Sequence, residues 1–178
     1  IVLQLFLTSE KMKKIIVYLA LSVAFSVHSQ EIQWASKLIK FSSDLGGKQN
    51  GIKRILGKPD VFPQGGSSPN AWSPKNALDG KEVVEVGFEK PQTIKQIAIF
   101  ENYGAGSITS VDGLDQNNKI YPLRTFSPAY NTSGSQVTTI HLPTKTSFKL
   151  RGLKIYFNSL RVKGYSQIDA IGISDSDE

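Results

Sequence analysis

"VVEVGFEKPQTIKQIAIFENYGAGSITSV", residues 83–111, alternates apolar and polar side chains twice over and breaks the pattern at two clusters of turn residues. Val84, Val86 and Phe88 fall at period two, and so do Ile97 and Ile99, while "EKPQ" at 89–92 and "NYGAGS" at 102–107 supply the punctuation. Successive side chains on a strand point to opposite faces, so this spacing is that of half-buried strands. It returns at Leu153, Ile155 and Phe157 and at Ile171 and Ile173, with further turn clusters "DQNNK" at 115–119 and "NTSGSQ" at 131–136. One patch departs from it: in "NGIKRILG", residues 50–57, Ile52, Ile55 and Leu56 share a helical face and Gly57 suits a helix stop. About seven or eight short strands, one short helix, no helix–strand alternation and no internal repeat predict an all-β chain folded as a single β-sandwich rather than a parallel sheet.

The first residues stand apart from this pattern. From Met12 the chain reads "MKKIIVYLALSVAFSVHSQ", in which Lys13 and Lys14 precede an apolar stretch from Ile15 to Phe25, and Val27 and Ser29 form a cleavage pattern. That is the anatomy of a secretory signal, and the run is shorter than the roughly 20 residues a membrane span needs. The predicted organisation is an upstream segment at 1–11 without expected structure, a signal peptide at 12–29 and one β-sandwich domain at 30–178, with no transmembrane span in the mature domain. Export places it in the periplasm, the outer membrane or on the cell surface.

Composition removes several function classes. The chain has no cysteine, which excludes thiol chemistry, disulfides, thiolate metal sites and a lipidated cysteine at the cleavage site. Of its 21 basic and 15 acidic residues, three lysines and one glutamate fall within 1–29, so the net charge of +6 becomes +4 for the exported part. These charges are scattered rather than clustered, and no nucleic-acid partner is expected. Catalysis has little to work with. His28 leaves with the signal and His141 sits alone in the strand-like "VTTIHLP". Glu82 and Glu85 are three apart on one strand and so face opposite ways, and no nucleophile elbow or phosphate loop occurs. The chain is read as a non-enzyme.

The stretch "GKPDVFPQGGSSPNAWSP", residues 57–74, holds four prolines and three glycines around two aromatics, an aspartate and an asparagine. Neither helix nor ladder strand tolerates that composition, so its order must come from side chains or from a bound ion. Trp72 is read as a plug closing the sandwich end rather than a displayed platform, and Phe62 likewise. Asp60 and Asp79 each suit turn capping when taken alone.

Taken in order, "FSSDLG", "IKRILGKPDVFPQGGSSPNAWSP", the 83–111 stretch and "GYSQIDAIGISD" resemble the discoidin-like, galactose-binding-like jelly rolls of exported proteins, over roughly residues 34–176. Such modules stand near the N-terminus of OmpA-type envelope proteins, and that part is absent here, which points to a missing C-terminal domain. The resemblance implies a non-catalytic module that takes ligands, often sugars, on loops at one end, and in many relatives a structural calcium. For calcium the candidate oxygen ligands are Asp60, Asn70, Asp79 and Asp169, offered from loops and the last strand. For a glycan or cell-surface polysaccharide the candidates are Asn102, Tyr103, Tyr130, Asn131, Arg161 and Tyr165, because sugar recognition pairs an aromatic face with hydroxyl-binding amides and guanidinium. The expected function is glycan binding or adhesion on the cell envelope. The alternatives are a spacer or protein-interaction domain without sugar binding, and an accessory domain of a secreted hydrolase.

Overall fold

Alternation becomes architecture in a computed structural model that describes residues 32–75, 80–127 and 134–177. In β3 (Glu82–Gln92) Val84, Val86 and Phe88 turn inward, and in β4 (Gln96–Tyr103) Ile97 and Ile99 do so. The remaining strands are β1 (Gln33–Trp34), β2 (Lys37–Phe41), β5 (Ile108–Asp115), β6 (Ile120–Thr125), β7 (Gln136–His141), β8 (Leu150–Phe157) and β9 (Gln167–Ser174). They form two antiparallel sheets, one ordered β1-β9-β4-β7 and the other β2-β3-β8-β5-β6. The chain is a galactose-binding-like β-sandwich, as expected.

Facing rows make the core. Val84 lies opposite Ile155 and Val86 opposite Leu153 in one sheet, while Ile97 lies opposite Ile173 and Ile99 opposite Ile171 in the other. All eight are buried, and each such side chain contributes about 1.5–3 kcal/mol by leaving water. The helix expected at 50–57 is one 3₁₀ turn, Ile52–Ile55, with both isoleucines buried, Leu56 capping it and Gly57 following at φ +94°.

Two carboxylates of β3 confirm the opposite-face reading. Glu82 is buried against the hydroxyls of Ser42 and Ser43, whereas Glu85 reaches Lys154 at 3.2 Å on the outer face of the sheet. The hydrogen bond from Lys154 to Glu85 holds its ammonium above the ordinary lysine value.

Candidate functional site at the loop end

Strand direction gives the sandwich two unlike ends. One end carries residues 42–51, the loop 57–75, the β4–β5 turn and the segment 158–166; the other carries residues 89–95, 116–119, 142–149 and 175–177. The proline-rich loop lies on the first end, where side chains hold it in place.

The main latch is Asp169 of β9. Across from β4, Phe100 pairs with Ala170 and Glu101 with Ile168, which leaves Asp169 as the extra residue of a bulge. A bulge re-aims a side chain. Here the carboxylate accepts the backbone N–H groups of Asp60 at 3.1 Å, Val61 at 3.0 Å and Phe62 at 3.0 Å. Further along, the Gln167 side chain both accepts from and donates to the backbone of Ser68, at 2.8 and 3.0 Å. The Asn50 amide donates to the carbonyls of Ser68 and Ala71 at 2.8 and 2.9 Å. Trp72 then exchanges two backbone bonds with Ile168, at 2.9 and 3.0 Å, buries its ring against Phe157 and donates its indole N–H to Ser43. It is the plug that the sequence suggested, and Phe62 packs edge-on against Phe100, half-buried.

Between this loop and its neighbours lies a cleft of about 480 Å³. Leu45, Pro69 and Pro74 give it apolar walls; Gln49, Ser67 and Lys75 bring polar groups to it. Tyr165 closes one side, its hydroxyl 2.9 Å from the Ser67 hydroxyl and its ring against Tyr103 at 4.9 Å between centroids. Gly104, at φ +58°, permits that packing, because a side chain there would collide with the Tyr165 carbonyl. A second hollow of about 470 Å³, lined by Asp44, Gly47, Lys53 and Arg54 among others, adjoins the same 44–54 segment. Asp44 accepts the Ile52 N–H there at 2.9 Å.

The ligand candidates separate accordingly. Tyr103 and Tyr165 come together. Asn102 and Arg161 do not join them. Asn102 is fully buried and donates to the Gly66 carbonyl at 2.8 Å and to Gln167 at 3.2 Å, so it pins the loop instead of facing a ligand. Arg161 turns its guanidinium inward to the carbonyls of Ile108 and Phe126, at 3.0 and 3.4 Å. Tyr130 and Asn131 lie outside the described residues.

Of the calcium candidates, Asp60, Asn70 and Asp169 fall within the described residues. Three backbone N–H groups point at the Asp169 carboxylate. Asp60 is exposed, and burial followed by the charge of Asp169 holds its carboxyl above the ordinary carboxylate value. Asn70 is exposed, with its backbone N–H bound to the Ser68 hydroxyl, and Asp79 lies outside the described residues. Among the described residues no three acidic or histidine side chains gather around a metal-sized point.

Leu45, Gln49, Ser67, Lys75 and Gln167 were not foreseen in the cleft. Single glutamines and serines carry no spacing signal; the only hint was the proline-stiffened loop on which Ser67 and its neighbours sit.

Comparison with known proteins agrees with this architecture. The family 32 carbohydrate-binding module of Streptococcus pneumoniae EndoD superposes with a TM-score of 0.57 at 14% identity, covering 78% of this chain and 94% of that one. A chitosan-binding module from a chitosanase/glucanase of Paenibacillus sp. IK-5 gives 0.57 at 14%, covering 78% and 96%. XRCC1, in its complex with the DNA polymerase β catalytic domain, gives 0.64 at 11%, covering 82% and 99%. At such identities the likeness is one of fold. No curated protein matches. In sequence, the family model described as "Pappalysin-1, SD scarf domain, C-terminal" matches residues 26–178, which is most of the chain. The chain therefore belongs to the pappalysin-1 SD scarf domain family.

Proposed function

We propose that this chain is a non-catalytic glycan-binding module of an exported, envelope-associated protein. The observation that carries the reading is the cleft at Tyr165, where an aromatic ring braced by Tyr103 stands beside hydroxyl, amide and ammonium groups on a rigidly latched loop. A ring face suits the C–H side of a sugar, and the polar groups suit its hydroxyls. Two of the structures with this fold are described as carbohydrate- and chitosan-binding modules, which supports the same reading. A glycan array probed with the full chain tests the proposal. Specific hits that weaken more than about tenfold in Tyr165→Ala are expected; an absence of hits overturns it.

A second reading, protein interaction, rests on β7. The other sheet edges are guarded: β2 by Lys37, Lys40 and a register shift, β6 by Pro122, Arg124 and a shift, and β1 by its two-residue length. β7, "QVTTIH", has none of these devices and leaves Val137 41% exposed. Such an edge accepts an added strand. Thr139→Pro would abolish that pairing and leave the cleft untouched, so a complex unaffected by it would exclude this surface.

A further inference from the structure

Around the cleft at the loop end the lysines are more exposed than most of the carboxylates. Three of the carboxylates point inward, whereas Asp60 is exposed and Asp44 half-buried. Glu82, Glu101 and Asp169 are 4%, 1% and 1% exposed, and each is satisfied by neutral donors. Glu82 takes the hydroxyls of Ser42 and Ser43, and Asp169 takes three backbone N–H groups. Glu101 takes the Gly106 N–H, the Gln136 amide and the Thr138 hydroxyl. The lysines point outward. Lys75 lines the cleft, Lys48 directly precedes the lining residue Gln49, and Lys163 stands two positions before Tyr165. All three are exposed, and none meets a carboxylate among the described residues.

The other end differs only in part: Lys90, Lys119 and Lys149 meet no carboxylate among the described residues there either, but two lysines do. There Lys95 pairs with Asp177 at 3.4 Å and Lys145 with Asp175 at 3.3 Å. Besides the apolar walls, the described groups a molecule entering the cleft meets are ammonium, amide, hydroxyl and one tyrosine ring. Among the described residues no carboxylate lines the cleft to repel an anion, and the lysines add attraction over the approach.

We infer that the cleft takes an anionic glycan, a polysaccharide whose sugars carry carboxylate or sulfate groups. Lys75 and Lys48 contact the anion, and the Tyr165 ring covers a sugar face. Lysine is a flexible point charge rather than a fixed fork, which suits an anion repeated along a polymer more than one locked in a single bidentate geometry. The inference rests on the glycan-binding reading above and adds the charge of the ligand to it.

Matched polymers test it, because esterification removes the charge and keeps the sugar. Polygalacturonate and its fully methyl-esterified form, and dextran sulfate and dextran, are compared by affinity electrophoresis and calorimetry with the full chain. At least one acidic polymer is expected to bind about tenfold or more tightly than its neutral partner; which pair responds tells carboxylate from sulfate. In a Lys48→Gln/Lys75→Gln double variant that preference should collapse, while Tyr165→Ala weakens binding to acidic and neutral polymers alike. Equal binding of the two forms, lost in Tyr165→Ala, would overturn the inference and leave the glycan reading standing. Binding to neither form would overturn the inference directly. Binding of an acidic polymer that survives Tyr165→Ala, or is matched by a single-stranded oligonucleotide of equal charge, would reduce the cleft to a basic surface and defeat both.

Discussion

The two ends of the sandwich hold their chain turns by different chemistry. At the far end, "DQNNK" is organised locally: the Asp115 carboxylate accepts the N–H groups of Asn117 at 2.8 Å and Lys119 at 2.9 Å within its own turn. Two lysines there meet carboxylates across the surface, Lys95 with Asp177 and Lys145 with Asp175. At the loop end the anchors are distant in sequence. Asp169 holds residues 109, 108 and 107 positions earlier, and Gln167 reaches 99 positions back to Ser68. Local turns can tolerate loss of an exposed partner because water replaces it. A buried, non-local latch has no such substitute, so damage at the loop end should cost far more and should spread to the cleft.

The largest effect expected is from Asp169→Ala, which leaves three backbone N–H groups without their acceptor and should cost about 3 kcal/mol. Denaturant unfolding checks it, beside Asp177→Ala at the far end, which should stay within about 0.5 kcal/mol. The loss at Asp169 should be the same in calcium and in chelator, since protein N–H groups occupy the carboxylate. A loss that appears only with calcium would break the latch account. Next is Gly104→Ala. A methyl group at φ +58° and against the Tyr165 carbonyl should cost about 2 kcal/mol and push Tyr165 off its Tyr103 support. Stability and glycan affinity should fall together; unchanged affinity would separate Tyr165 from the site.

How much of this could be read in the sequence follows from the same contrast. Period two at Val84, Val86, Ile97 and Ile99 gave the strands because burial on one face is a local property of the chain. Trp72 was legible as a plug for a related reason, since a large ring beside an alanine in a stiff loop is seldom displayed. The reach of Asp169 was not legible. Its direction depends on a bulge opposite Phe100 and Glu101, and a bulge moves one side chain without changing the apolar pattern around it. Asn102 and Arg161 read as ligand-facing because they are polar and lie in turns. Folding turned them inward, since the carbonyls of Gly66, Ile108 and Phe126 needed donors that the loop backbone lacks. The cleft itself is assembled from segments near residues 45, 67, 75 and 165, a meeting that no single stretch encodes.

The smallest effects expected concern two carboxyls with opposite shifts, one from each end. Asp60 lies above its ordinary value of 3.8, first because of burial and then because of the charge of Asp169. Its folded state favours the protonated acid, so its contribution is present below 3.8 and lost as pH rises through the folded value. Asp115 lies below 3.8: burial opposes the shift, but the N–H groups of Lys119 and Asn117 and the Tyr121 hydroxyl outweigh it. Its contribution is present above 3.8 and lost as pH falls through the folded value. Asp60→Asn should therefore raise the melting temperature slightly at neutral pH and lose that gain in acid. Asp115→Asn should lower it slightly at neutral pH and become neutral in acid. Melting curves for both variants across that range decide the matter. If the two respond with the same sign, the charge of Asp169 does not reach Asp60, and the loop is held less closely to β9 than three hydrogen bonds require.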